Sequence, residues 1–82
     1  MKITTDHPTS SYVIPVILDD AGQVMDYGPG IQMIRKKLGL NTAGFGALIG
    51  VSGRTVEGWE QGARMPGKPE LMLMAQLIKR IK

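Results

Sequence analysis

The residues of this sequence that are best equipped for chemistry lie between Ser52 and Gly58. This stretch carries two hydroxyls, a guanidinium and a carboxylate, which are groups suited to hydrogen bonding. Arg54 is the strongest of them, because its fork can pair with both acceptors of a guanine in the major groove of DNA. Two alternatives stay open: Arg54 contacts a phosphate, or it pairs with Glu57 one turn away. Glu57 can itself accept a hydrogen bond from a cytosine or orient Arg54.

Two short helices joined by a tight turn must position these residues. Asn41 can cap a helix over residues 42–49, and Gly50 ends that helix at a position that favours a positive φ. Ser52 caps a second helix over residues 53–61, and a glycine follows directly. Two short helices and a turn that contains glycine form the helix-turn-helix pattern. This pattern predicts that the start of the second helix enters the major groove.

The base-contacting candidates are the residues at the start and on the outer face of the second helix. They are Ser52, Gly53, Arg54, Thr55, Glu57 and Gly58. The two glycines supply no side chain, so we expect specificity to be low, to depend on DNA shape or to come partly from a partner. Each helix has one apolar stripe that we expect to be buried. Its members are Phe45, Leu48, Ile49, Val51, Val56 and Trp59.

The segment IRKKLGLNTAGFGALIGVSGRTVEGWEQGARMP resembles the Cro/C1 (lambda-repressor-like, XRE) helix-turn-helix family. The resemblance covers about residues 30–81. It rests on LGL before the first motif helix, GVS at the turn, RTVxxWExG through the second helix and a proline shortly after. The family implies a bundle of about four helices and a prokaryotic or phage transcriptional regulator that binds double-stranded DNA, most commonly as a repressor.

The resemblance also implies residue roles. In the family, the start of the first motif helix grips a phosphate, often through a Gln, and the loop after the second helix meets the DNA backbone. The corresponding phosphate-contacting candidates are Asn41, Thr42, Arg64 and Lys68. Family members often pair an arginine of the first helix with a glutamate near the end of the second motif helix. Arg35 and Glu60 match that structural ion pair.

Composition narrows the class of protein. The chain has 82 residues, a net charge of +3 and no cysteine, so we expect one small domain without disulfides or a cysteine zinc site. Residues 1–34 carry one lysine against four aspartates, whereas residues 35–82 carry nine Lys/Arg against three glutamates. A basic half attracts a polyanion such as DNA. The chain has no apolar run long enough to span a membrane. Together with the expected DNA binding, this predicts a cytoplasmic, nucleoid-associated protein.

Catalysis is not expected. The sequence has no plausible nucleophile–base pair, no metal-binding cluster and no phosphate-binding glycine loop. His7 is a single histidine in a polar segment, and we assign it no role. We therefore predict a protein that is not an enzyme and that needs no cofactor and no metal.

The remaining elements are read from local patterns. We predict a mainly α fold with an N-terminal tail and β-hairpin over residues 1–29 and a DNA-binding domain over residues 30–82. The hairpin combines strands at 12–18 and 23–27 around a turn that contains two aspartates. The first helix is expected over 30–38. A last helix opens at Pro69 with a buried stripe of Leu71, Met74, Ala75, Leu77, Ile78 and Ile81.

The first strand of the hairpin is apolar on both faces. One face can lie on the helices, which leaves the other in need of cover. One interpretation is a homodimer formed through the 12–27 hairpin, and the other is a hairpin that only caps the helices of its own chain. An alternative function uses the same surface: an antitoxin-type module whose hairpin binds a protein partner while its helices bind the operator.

Overall fold

The computed structural model of the chain describes residues 1–8 and 14–80. Within these residues, four helices pack with a three-stranded antiparallel sheet in a mixed α/β domain. The strands are β1 (Lys2–Thr4), β2 (Val16–Leu18) and β3 (Val24–Met25). The helices are α1 (Tyr27–Lys37), α2 (Thr42–Ile49), α3 (Gly53–Glu60) and α4 (Lys68–Ile78). The prediction of four helices is confirmed, and the sheet has one strand more than the predicted hairpin.

The extra strand is β1, in a segment predicted to be an irregular tail. Ile3 lies opposite Ile17 of β2, and both side chains are buried. This long-range pairing makes β2 the central strand, with β1 on one side and β3 on the other. The first strand of the hairpin was predicted too long, because β2 begins only at Val16. Tyr12 and Val13 of that prediction lie outside the described residues.

The start of α1 corrects a second prediction. The helix begins at Tyr27, so the boundary drawn between residues 29 and 30 falls inside it. Pro29 is tolerated in the first turn, where its missing N–H would have no helical acceptor. A Cβ on Gly28 would lie 2.7 Å from the backbone oxygen of Glu60. A segment that reads as a chain breaker is therefore a point where the backbones of α1 and α3 approach closely.

One core joins the sheet to the helices. Its buried members are Ile3, Ile17, Ile31, Ile34, Phe45, Ile49, Val56, Trp59, Leu71 and Met74. Leu48 was predicted to be buried, but 53% of it is exposed, because Phe45 and Ile49 occupy the inner face of α2 and Leu48 faces outward. Ala75, Leu77 and Ile78 pack against the core as partly buried residues. Ile81 lies outside the described residues.

The turn between α2 and α3 depends on two glycines. Gly50 has the positive φ that was predicted, at 88°, and its N–H and that of Val51 donate to the Gly46 carbonyl at 2.8 and 2.9 Å. A Cβ on Gly46 would lie 2.5 Å from the backbone oxygen of Val51. Only a residue without a side chain allows the chain to cross α2 at this distance.

We expect Gly46→Ala to lower the free energy of unfolding by about 2 kcal/mol, the usual range for an overpacked site. The new methyl group would meet backbone atoms, which cannot rotate away. Urea denaturation followed by circular dichroism measures the change.

Gly44→Ala is the matched control in the same helix. Its Cβ would meet side-chain atoms of Asn41 and Leu40 at 3.2 and 3.4 Å, and alanine gains up to about 1 kcal/mol of helix propensity. We expect it to stay within about 1 kcal/mol of the natural chain. Equal losses in the two variants would contradict the close crossing at Gly46.

Candidate nucleic-acid interface

The start of α2 presents free backbone donors beside a polar side chain. The Asn41 side chain caps the helix as predicted, accepting from the Gly44 N–H at 2.7 Å. The N–H groups of Thr42 and Ala43 have no acceptor within the helix. The Thr42 hydroxyl lies 3.4 Å from the Glu57 carboxylate, a long contact that brings the start of α2 next to the middle of α3.

Two hydroxyl groups lie at the start of α3, on its N-cap Ser52 and on Thr55 in its first turn. The Ser52 side chain accepts from the Thr55 N–H at 3.1 Å, so the predicted cap is present. The hydroxyls of Ser52 and Thr55 also lie 3.0 Å apart, at hydrogen-bonding distance. Gly53 faces α2, because a Cβ there would lie 3.0 Å from the backbone of Ala43. This glycine therefore serves the packing of the two helices and lies away from the open face.

The open face of α3 is a stripe of exposed residues. Arg54 and Glu57 are exposed, and so is Gln61 directly after the helix. Arg54 has no hydrogen-bond or ion-pair partner within residues 1–8 and 14–80, so the alternative pairing with Glu57 is not formed. Sequence reasoning missed Gln61 as a site residue. The spacing along the helix could have indicated it, because a residue seven positions after Arg54 lies about two helical turns further along the same face.

The loop after α3 folds back onto that helix. The backbone N–H groups of Ala63 and Arg64 donate to the Gly58 carbonyl at 2.9 and 3.1 Å. The Arg64 stem lies across the place where a side chain of Gly58 would stand, with its Cδ 3.0 Å from an ideal Cβ. Lys68 is exposed in the first turn of α4. Arg64 thus lies beside the open face of α3.

The ion pair of Arg35 with Glu60 ties α1 to the end of α3. The Arg35 Nε and Nη2 donate to the two Glu60 carboxylate oxygens at 2.7 and 3.0 Å, and Nη1 donates to the Leu40 carbonyl at 3.0 Å. Only 15% and 10% of the two side chains are exposed. The hydrogen bond to Glu60 raises the pKa of Arg35 above its ordinary value, although burial opposes that shift. Both residues fix the orientation of α3.

The inner face of α3 anchors it in the core. Val56 is fully buried and Trp59 almost so, which agrees with the prediction that Trp59 is a core residue and has no face free for stacking. In the part of the chain that the structure describes, no group of three or more His, Cys, Asp or Glu side chains could hold a metal ion. No helix there is long and apolar enough to cross a membrane.

Comparison with protein-family models, with curated proteins and with solved structures found no match to this chain.

We expect Arg35→Met and Glu60→Met each to lower the free energy of unfolding by about 2–3 kcal/mol, because each leaves a largely buried charge without its partner. The double variant should lose less than the sum of the single losses, since it removes both charges together. Denaturant unfolding of the four proteins measures this coupling.

Lys36→Met is the control, because Lys36 is an exposed neighbour on α1 and should change stability by no more than about 0.5 kcal/mol. Additive losses in the Arg35 and Glu60 variants would show that the pair does not act as a unit.

Proposed function

We propose that the chain binds double-stranded DNA with α3 in the major groove, as a helix-turn-helix transcriptional regulator of the Cro/C1 type that acts as a repressor. The observation that carries the proposal is Arg54, exposed and without a partner among the described residues, at the start of a short helix whose other face is fully packed. An unpaired guanidinium on a rigid helix is the usual means of reading a guanine.

The packing of α3 supports this proposal because it fixes where Arg54 points. Trp59 is buried in the core, Gly53 lies against α2 and Glu60 is bound to Arg35. Each contact restrains a different side of α3. A reading residue on a rigid element loses less conformational entropy on binding than one on a loop.

The neighbouring polar groups fit the edges of bases. Arg54 can donate two hydrogen bonds to guanine, and a glutamine such as Gln61 can pair with both groups of adenine in the major groove. Glu57 can accept from cytosine, and among the described residues its side chain makes one long contact, with Thr42, that competes with this role. The open face of α3 therefore offers complementary groups to three of the four bases.

The surroundings of α3 fit a DNA backbone. The free N–H groups at the start of α2, beside Asn41 and Thr42, suit an anion such as phosphate. Arg64 and Lys68 follow α3 and are exposed. Phosphate contacts of this kind position a protein on the duplex without reading sequence. The excess of basic residues in 35–82 supports the same assignment through long-range attraction.

We expect Arg54→Ala to lower the affinity for a preferred duplex by about 1–3 kcal/mol and to relax the preference at one base pair. The preferred duplex is first enriched from a random-sequence pool by the natural chain. Fluorescence anisotropy over a salt series then measures affinity for that duplex and for a scrambled one.

Lys2→Ala is the matched control, since it also removes one positive charge but lies on β1, which contacts β2 and α4. It should keep the preference for the enriched duplex. Steep salt dependence with equal affinity for both duplexes would mean electrostatic attachment without readout. Absence of binding to any duplex would refute the proposed function.

A second candidate function is the antitoxin-type module, in which the same chain also binds a protein partner. The observation that favours it is an apolar cleft of about 560 Å³ between β3, the start of α1 and the end of α3. Val24 and Met65 line this cleft with 46% and 69% of their surfaces exposed. The outer edge of β3 lies beside it, so a partner strand or a second copy of the chain in a homodimer could extend the sheet there.

For this candidate, we expect Met65→Asp to abolish copurification of the chain with the product of the neighbouring gene, because a charge would be buried in the apolar cleft. Leu73→Asp is the control, since Leu73 is an exposed apolar residue of α4 outside the cleft. Coexpression followed by affinity purification measures the complex. If the natural chain forms no complex, or if both variants lose the complex equally, the antitoxin-type function is contradicted.

A further inference from the structure

The open face of α3 has a gap at Gly58. This glycine lies four residues after Arg54, so the two positions are neighbours on one side of the helix, about one turn or 5.4 Å apart. Gly58 is partly exposed and offers no side chain of its own. From the residues of α3 alone, the open face would have one base-reading side chain, Arg54, near its start and no side chain one turn later. We call this space beside Gly58 the empty site.

Arg64 fills this empty site from outside the helix. Its Cβ, Cγ and Cδ lie 3.5, 3.1 and 3.0 Å from the place where a Cβ of Gly58 would stand. The three atoms approach in order along the stem, so the side chain runs across Gly58. The backbone is held at the same point, since the Arg64 N–H donates to the Gly58 carbonyl at 3.1 Å. The side chain is exposed and has no partner among the described residues.

From this geometry we infer that Arg64 is a base-reading residue of the α3 face, seated in the space that Gly58 leaves, and that it reads a second guanine beside the one read by Arg54. The inference rests on the proposed function and changes the role of Arg64 from a loop contact with phosphate to a determinant of specificity. One helical turn of about 5.4 Å corresponds to about one or two base-pair steps of 3.4 Å. The preferred site therefore contains two guanines that are neighbours or are separated by one base pair.

Gly58 makes the inference testable without removing Arg64. An alanine at position 58 would place a methyl group 3.0 Å from the Arg64 Cδ. The atoms in its way belong to a flexible exposed side chain and not to backbone, so the Arg64 stem must shift by a few tenths of an ångström, which displaces the guanidinium at its end while the fold is retained. Alanine is also about 1 kcal/mol better than glycine inside a helix. A loss of readout in Gly58→Ala therefore cannot be attributed to unfolding if the thermal midpoint is unchanged or raised.

The experiment is selection of duplexes from a random-sequence pool by the natural chain and by Arg54→Ala, Arg64→Ala, Gly58→Ala and the control Lys2→Ala. We expect Arg64→Ala and Gly58→Ala to relax the same guanine, with about a tenfold loss of preference there, and Arg54→Ala to relax the other. In the Arg64→Ala background, Gly58→Ala should cause no further loss. Thermal unfolding of each variant is measured in parallel.

If Arg64 contacts a phosphate and not a base, the same experiment gives a different result. Arg64→Ala would then weaken binding to all duplexes equally and lower the salt slope by about 1 without changing the selected sequence. That outcome, or an unchanged selection by Gly58→Ala, overturns the role of Arg64 while the proposed function stands. Binding by the natural chain without any enriched sequence also overturns the readout by Arg64 but leaves DNA binding intact. Absence of binding overturns both proposals.

Discussion

The constraint on which the rest of the structure depends is the close approach of α2 and α3. A Cβ at Gly46 would lie 2.5 Å from the oxygen of Val51, and one at Gly53 would lie 3.0 Å from the backbone of Ala43. Both helices have eight residues and would be marginal alone in water. Glycine inside a helix, as at Gly46, costs up to about 1 kcal/mol relative to alanine, which the packing of Phe45, Val56 and the rest of the core must offset.

The C-terminal end of α3 is held by a second close contact at a glycine, this time with α1. Gly28 at the start of α1 leaves room for the backbone oxygen of Glu60, and the Glu60 side chain is bound by Arg35 from the same helix. One helix thus restrains both the backbone and the side chain of Glu60. Because α3 is restrained at both ends and along its buried face, its exposed side chains have a defined direction relative to the whole domain, which recognition of a rigid duplex would require.

Features set by neighbouring residues could be predicted from the sequence, and those set by distant ones could not. The caps Asn41 and Ser52 and the glycine turn at Gly50 act within four residues, and all three are present. The strand β1 was missed because it exists only through pairing with β2, at least twelve residues away. The start of α1 at Tyr27 was missed because the two glycines that suggest a break are required by distant contacts, Gly28 by one with α3 and Gly30 by one with Ile17 of β2.

The same distinction applies to the candidate site. In the sequence, Gly53 and Gly58 read as positions of α3 where a reading side chain is lost. In the fold, each glycine leaves space for another element: Ala43 of α2 at the first, and the Arg64 stem at the second. The chemistry that α3 can present therefore depends on the residue that lies over a glycine as well as on the helix's own side chains. A helix that contains glycines is compatible with specific readout when a neighbouring loop holds a side chain over one of them, as the Arg64 stem lies over Gly58.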